Sequence, residues 1–211
     1  MQQRDLAFNT CRCWRKTIQT PTGALALRNF CPSTVVESLR ADDGLRAFAR
    51  LPEREHHRLV ELAKCPGAEL TLAYTFSGEI VGEVSLIPAD AWWQGLEQTY
   101  EIAVQVSSHW RRLGIARQLL ASALSFEAQE ERIILGMGFS WHWDTEGLGL
   151  MPSRYRLLIE QLSASYGFCE YLTIEPNIRM DSANIFLARI GSRVDQKVMN
   201  LFLSRLLGEI F

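Results

Sequence analysis

Between Thr99 and Leu124 the hydrophobic period of the chain changes, and it changes across a turn crowded with arginine. The run YEIAVQV (100–106) is made of strand formers. The run IARQLLASAL (115–124) puts Ile115, Leu119, Leu120, Ala123 and Leu124 on one side of a helix. A period of two suits a strand and a stripe near ~3.6 suits a helix, so SSHWRRLG (107–114) must turn one directly into the other. Gly114 permits a tight bend without a Cβ clash. Ala116 is small enough for a bulky ligand to approach the helix start. The first turn of a helix carries N–H groups with no internal partner and a partial positive charge, a natural seat for an anion. Arg111, Arg112 and Arg117 add cationic side chains around it. That chemistry suits a diphosphate. It is not an ATP loop or a dinucleotide fingerprint, because neither GxxxxGK[ST] nor GxGxxG occurs in the chain.

The rest of the chain supplies the frame. KTIQTPTGALALRNF (16–30) reads as two strands around Pro21 and Gly23. Helices are expected near 33–40 and 53–64, the second with Leu59, Leu62 and Ala63 on one face. LTLAYTF and EIVGEVSLI flank Ser77-Gly78 as a hairpin. RIILGMGF (132–139) returns to strand character. A helix over 153–166 aligns Tyr155, Leu158, Ile159, Leu162 and Tyr166. CEYLTIEP (169–176) reads as a strand, SANIFLARIG (182–191) as a short helix, and 195–207 as an amphipathic helix through Val198, Leu201, Phe202 and Leu206. A strand-rich front half followed by alternating helix and strand predicts an α/β (α+β) chain, with a mixed central sheet and helices on both faces. No linker or repeat divides residues 1–211, which read as a single domain with 1–15 as an irregular amino-terminal extension.

Composition narrows the function classes. Apolar residues make up 47% and charged residues 22%, with a formal net charge of -2. That suffices to bury a core and gives no basic face for nucleic acid. No apolar run approaches the roughly 20 residues of a membrane span. MQQRDLAFNTCRCWRK lacks the charged-then-apolar design of a secretory signal, so the reading is cytoplasmic. The five cysteines are odd in number and scattered, which is no disulfide framework. Cys11 and Cys13 have no second pair at zinc-finger spacing and read as reduced thiols.

Arg111-x-x-Gly114-x-Ala116 resembles motif A of the GNAT superfamily of acetyl-CoA-dependent N-acetyltransferases, written [QR]-x-x-G-x-[GA]. The resemblance implies a GNAT fold in which the strand before the turn splays from its neighbour. Val104, Gln105 and Val106 would then offer backbone groups to the pantetheine arm. Arg112, Leu113, Gly114, Ile115, Ala116 and Arg117 would offer amides to the diphosphate. The segment SANIFLARIG resembles the superfamily's later helix, which adds Asn184 to the cofactor residues. Many members carry a proton-donating tyrosine there, where this chain has Phe186 and Leu187; Tyr155, Tyr166 and Tyr171 are the substitutes. WHWDTEG, SRYRLLIE, TIEPNI and LARIG together resemble the acetoin-utilisation acetyltransferase (AcuA-type) proteins. That likeness implies a protein lysine as acceptor, with acetyl-CoA synthetase the implied target.

The run FSWHWDTEG (139–147) sets His142 between two tryptophans. A metal site lacks a recognisable ligand set among His56, His57, His109 and His142. A packed corner and a pocket wall both remain. In the pocket reading, Trp141 and Trp143 shape an apolar slot for a lysine stem, and His142 or Asp144 orients or deprotonates the amine. A base is required, because an ammonium with a pKa near ~10.4 is not a nucleophile. Glu101, at the start of the splayed strand, is the first candidate base, and Glu83 on the adjacent strand a weaker one. Two other readings use the same frame: a small-molecule amine acetyltransferase and a non-catalytic acyl-CoA-binding regulator.

Overall fold

The computed structural model describes residues 14–93 and 95–208, and Cys11 and Cys13 lie outside them. Strands β1 (Arg15–Thr20) and β2 (Gly23–Arg28) open the chain and pair antiparallel. Arg15, assigned above to an irregular extension, is already in the sheet. Helix α1 (Ser33–Glu37) and strand β3 (Arg40–Ala41) follow, then α2 (Pro52–Lys64). The hairpin is β4 (Glu69–Thr75) and β5 (Glu79–Pro88). Strand β6 (Thr99–Val106) leads through the arginine turn into α3 (Ile115–Ala123) and on to β7 (Ile133–Gly138). The remainder is α4 (Thr145–Leu148), α5 (Pro152–Ala164), β8 (Cys169–Glu170), α6 (Pro176–Arg179), β9 (Ile185–Ile190) and α7 (Gln196–Leu207).

The strands form a sheet in the order β1-β2-β4-β5-β6-β7-β9-β8, with β3 alongside β5. Most neighbours are antiparallel, and β6 runs parallel to β7. Strand alternation divides the helices between the two faces. Ile102 and Val104 of β6 pack with Ile115, Leu119 and Leu120 of α3, and Ile102 also meets the cluster that holds Ile159 of α5. On the opposite face, Leu72 and Ile80 pack against Leu59 and Val60 of α2. Farther along that face, Ile133, Leu135 and Phe186 pack against Phe202 and Leu206 of α7.

One expected helix is a strand. Residues 185–190 pair with β7 from Ile133↔Ile190 to Gly138↔Ile185. Both sides of this strand are covered: Phe186 and Ala188 face α7, while Ile185 and Leu187 face the α5 side. A doubly buried strand shows no alternation, and so short an apolar run has no period to separate it from a helix. Two expected elements are shorter than read. The first helix ends at Glu37, and CEYLTIEP pairs only at Cys169 and Glu170 before Pro176 starts α6.

Candidate active site

The feature that makes a site here is where β6 and β7 stop pairing. Thr99, Tyr100 and Glu101 pair with Ile133, Ile134 and Leu135, and the ladder ends there. Beyond it β6 continues only against β5, and Gly136–Gly138 only against β9. The two strands therefore splay, and the β7-facing backbone groups of residues 102–106 have no strand partner. A cleft of about 760 Å³ opens in the gap, within the range of small-molecule sites.

At one end of the cleft lies the arginine turn. Arg112 (φ 61) and Gly114 (φ 76) both occupy the left-handed region, and Gly114 is the N-cap of α3. This double reversal brings the chain out of β6 and into the helix with its amides turned outward. Among the described residues no protein acceptor takes the N–H groups of Arg111 through Arg117, and the first amide satisfied is Gln118, by the Gly114 carbonyl at 3.1 Å. A Cβ on Gly114 would meet no atom within 4 Å, so the corner is not plugged by side chains. Ile115 sends its side chain into the core and offers only its amide. Ala116 lines the cleft directly. Val104, Gln105 and Val106 on the unpaired edge line the cleft with Arg111 and Ala116, whereas Arg112, Leu113, Gly114, Ile115 and Arg117 do not line it; free amides beside an open strand edge suit the diphosphate and arm of a coenzyme A thioester.

The other candidates are placed less simply. Trp141, His142, Trp143 and Asp144 all line the cleft, on the corner that follows β7. The two indoles do not flank the imidazole as a pair. Trp143 turns to the α5 side and stacks on Tyr155 at 5.2 Å, whereas Trp141 stacks on Phe139 at 4.7 Å and stays half-exposed. His142 makes edge contacts with Phe48 at 5.5 Å, Trp141 at 6.0 Å and Phe139 at 6.1 Å. Burial lowers the His142 pKa below its usual 6.5, with Arg50 assisting and Glu55 opposing. The ring is thus neutral near neutral pH, and no protein partner holds its nitrogens among the described residues.

Three expected residues are committed elsewhere. Asp144 is ion-paired to Arg111 at 2.5 Å and caps α4 through the Gly147 amide at 2.9 Å. The bond from Arg111 lowers its pKa, which makes it a poor base. Glu101 does not line the cleft. It sits where β6 and β7 are still paired and accepts from the Asp90 amide at 3.2 Å; burial raises its pKa. Asn184 does not line the cleft either. Its Oδ1 accepts from the Ser140 amide and its Nδ2 donates to the Asn177 carbonyl, both at 2.7 Å, so it fastens the corner after β7 rather than a ligand.

Sequence reasoning missed the wall opposite. Asp43, Gly44, Arg46, Ala47, Phe48 and Arg50, between β3 and α2, line the cleft across from His142. Behind them lie Glu55 and Glu83, both fully buried, with Arg58 and Gln105. The one available signal was Glu83 in IVGEVSLI, a charge inside an otherwise apolar strand. Tyr155, one of the three substitute tyrosines, lines the cleft, and burial raises its pKa so that the phenol keeps its proton. Tyr166 instead donates to the Arg117 carbonyl at 2.7 Å, and Tyr171 packs on Phe202. Among the described residues no cluster of His, Cys, Asp and Glu is placed to hold a metal ion, and no helix is long and apolar enough to cross a membrane.

Comparison with known proteins agrees with this geometry. Residues 35–138 match the Acetyltransferase (GNAT) family, a span that includes the 43–50 wall, β6 and the arginine turn. The acetoin utilization protein AcuA of Bacillus subtilis is 29% identical over 190 residues, covering 88% of this chain and 90% of its own length. AcuA of Bacillus licheniformis is 29% identical over 192 residues, with 89% and 90% covered. The crystal structure of an acetoin utilization protein from Exiguobacterium sibiricum superposes with a TM-score of 0.88 at 28% identity, over 95% of this chain and 97% of that one. With splayed strands, an open amide corner and these relatives in accord, residues 35–138 carry an acetyltransferase domain of the GNAT type, in a chain similar along nearly its whole length to acetoin utilization proteins.

Proposed function

We propose that the chain acetylates a lysine side chain of a protein, with acetyl-CoA synthetase as the acceptor, in the control of acetoin and acetate metabolism. The observation that carries this reading is the continuity of the cleft. A run of outward-turned amides leads along an unpaired strand edge to an aromatic wall that holds a neutral imidazole. The coenzyme supplies an activated acyl thioester, and every other role belongs to the chain.

The amides of Arg112 through Arg117 bind the diphosphate, with Arg111 at the cleft wall. Backbone groups of Val104, Gln105 and Val106 align the pantetheine arm, and one N–H of this edge stabilises the oxyanion. Trp141 and Phe48 give the aliphatic lysine stem an apolar rest. His142 accepts the ammonium proton on a ring nitrogen, a role worth about 10²–10⁴ in rate. Tyr155 holds its proton at the phenol oxygen, available to the leaving sulfur. The likeness to acetoin utilization proteins along nearly the whole chain supports the acceptor class. The exposed thiols Cys65 and Cys169 accord with a cytoplasmic enzyme.

The test is transfer of label from acetyl-CoA to purified acetyl-CoA synthetase, with mass spectrometry to locate it. The expected result is one dominant acetyl-lysine. Thiol release with polyamines or amino acids, and none with the protein, would make the enzyme a small-molecule acetyltransferase. Tight acetyl-CoA binding with no turnover on any amine would make it a binding regulator.

A further inference from the structure

Four polar side chains behind the cleft wall are joined to one another: Glu55, Glu83 and Gln105, all buried, and Arg58, which is partly exposed. Glu55 Oε1 accepts from the amides of Phe48 and Ala49, both at 2.7 Å. Its Oε2 accepts from Arg58 Nε at 2.9 Å and from Gln105 Nε2 at 3.1 Å. Gln105 Nε2 also donates to Glu83 Oε1 at 2.7 Å, Gln105 Oε1 accepts from the Ala47 amide at 3.2 Å, and Arg58 Nη2 donates to Glu83. Three consecutive amides, Ala47 to Ala49, are therefore turned inward and held by two side chains. With the backbone so turned, Arg46, Ala47, Phe48 and Arg50 face the cleft. Phe48 lies between the Arg58 guanidinium, 4.7 Å from its ring centre, and the ring of His142.

We propose that Glu55 is a positioning residue for acetyl transfer: by gripping the 47–49 backbone and Gln105 together, it sets the acceptor wall on which Phe48 meets His142. The inference rests on the lysine-acetyltransferase reading above. A structural role alone, such as capping α2, accounts for it poorly. Capping needs one oxygen at the helix start, whereas this carboxylate is fully buried and uses both oxygens on four donors, one of them from the splayed strand. Burying two carboxylates against a single guanidinium is costly, and Glu83 Oε2 is left without a partner. Such an expense is typical of a place where geometry matters to function. The wall also joins segments remote in sequence, because Gln105 belongs to the strand whose free edge carries the cofactor track. Glu55 thereby fixes the distance between the acceptor's rest and the acyl group's path.

The experiment measures steady-state kinetics of Glu55→Gln with purified acetyl-CoA synthetase as acceptor, together with acetyl-CoA affinity by calorimetry. The Gln side chain retains an oxygen for the two amides but turns an NH₂ toward Arg58 and Gln105, loosening the wall. The acceptor KM should rise about tenfold or more while the acetyl-CoA Kd stays within about twofold. Loss of thermal stability with an unchanged acceptor KM overturns the proposal. Should Glu55→Gln fail to fold, Phe48→Ala leaves the buried bonds intact and removes only the ring; the same split is expected, and an unchanged acceptor KM overturns the proposal. A wild-type enzyme that labels no lysine of the synthetase sinks the protein-acceptor reading and this inference with it. Transfer by wild type and variant at equal acceptor KM sinks this inference alone.

Discussion

The two walls of the cleft are built in opposite ways. The corner proposed to hold the cofactor is a single stretch, residues 104–117, that offers main-chain groups and depends on two left-handed residues. The wall proposed to seat the acceptor gathers residues 43–50, 55, 58, 83, 105 and 139–142, and is held by side chains behind it. A diphosphate presents the same shape in every turnover, and a fixed row of amides satisfies it. An acceptor must be distinguished from its competitors, and that requires a wall whose shape can be altered at several places without disturbing the corner. Substitutions on the two sides should accordingly separate in their effects: acceptor kinetics on one, cofactor affinity on the other.

The largest effect is expected from His142→Ala, a fall in kcat of about 10²–10⁴ with acetyl-CoA affinity retained. Its pH profile sharpens the assignment. Burial lowers the imidazole pKa below 6.5, so the proton-accepting form prevails above that lowered value and kcat/KM falls as pH drops through it. The limb should vanish in His142→Ala; its survival would return the base to a carboxylate such as Glu101. Next comes the corner. Space beyond Gly114 is open, so the effect of a substitution there comes from backbone conformation and not from a clash. Gly114→Val strains a left-handed residue by roughly 1–3 kcal/mol, and where that strain falls on the bound turn acetyl-CoA binding weakens by about 5–150-fold in calorimetry. Gly114→Asn, which tolerates that region, should lose much less. Equal affinities for the two variants would detach the cofactor from this turn. Smallest is Asp144→Asn. Asn still caps α4, and the pair to Arg111 is partly exposed, so thermal unfolding should register a loss of only about 0.2–1 kcal/mol with kcat unchanged. A collapse of kcat would reinstate Asp144 in the chemistry.

What could be read from the sequence follows the same division. The strand, turn and helix of 99–124 were legible because their signals are local: a change of period, a glycine and a row of arginines. The hairpin around Ser77-Gly78 and the last helix were legible for the same reason. Residues 185–190 were not, since a strand covered on both sides loses its alternation. The acceptor wall was invisible because its meaning is non-local. Glu55 in PEREHHRLVELAK looks like any solvated helix acid, and only the fold sets its carboxylate against Gln105, 50 residues away. Asp144 and Glu101 were plausible bases by residue type, but neighbours that no spacing rule names, Arg111 and the Asp90 amide, had already engaged them.

Asn184 binds the Ser140 amide with one end of its side chain and the Asn177 carbonyl with the other, and the imidazole sits two residues along from that tie. The base proposed here therefore sits on a bend that is tied to a neighbouring loop by one side chain. For the lysine acceptor proposed above, a tie of that kind makes seating against the bend the step in which acceptors should differ.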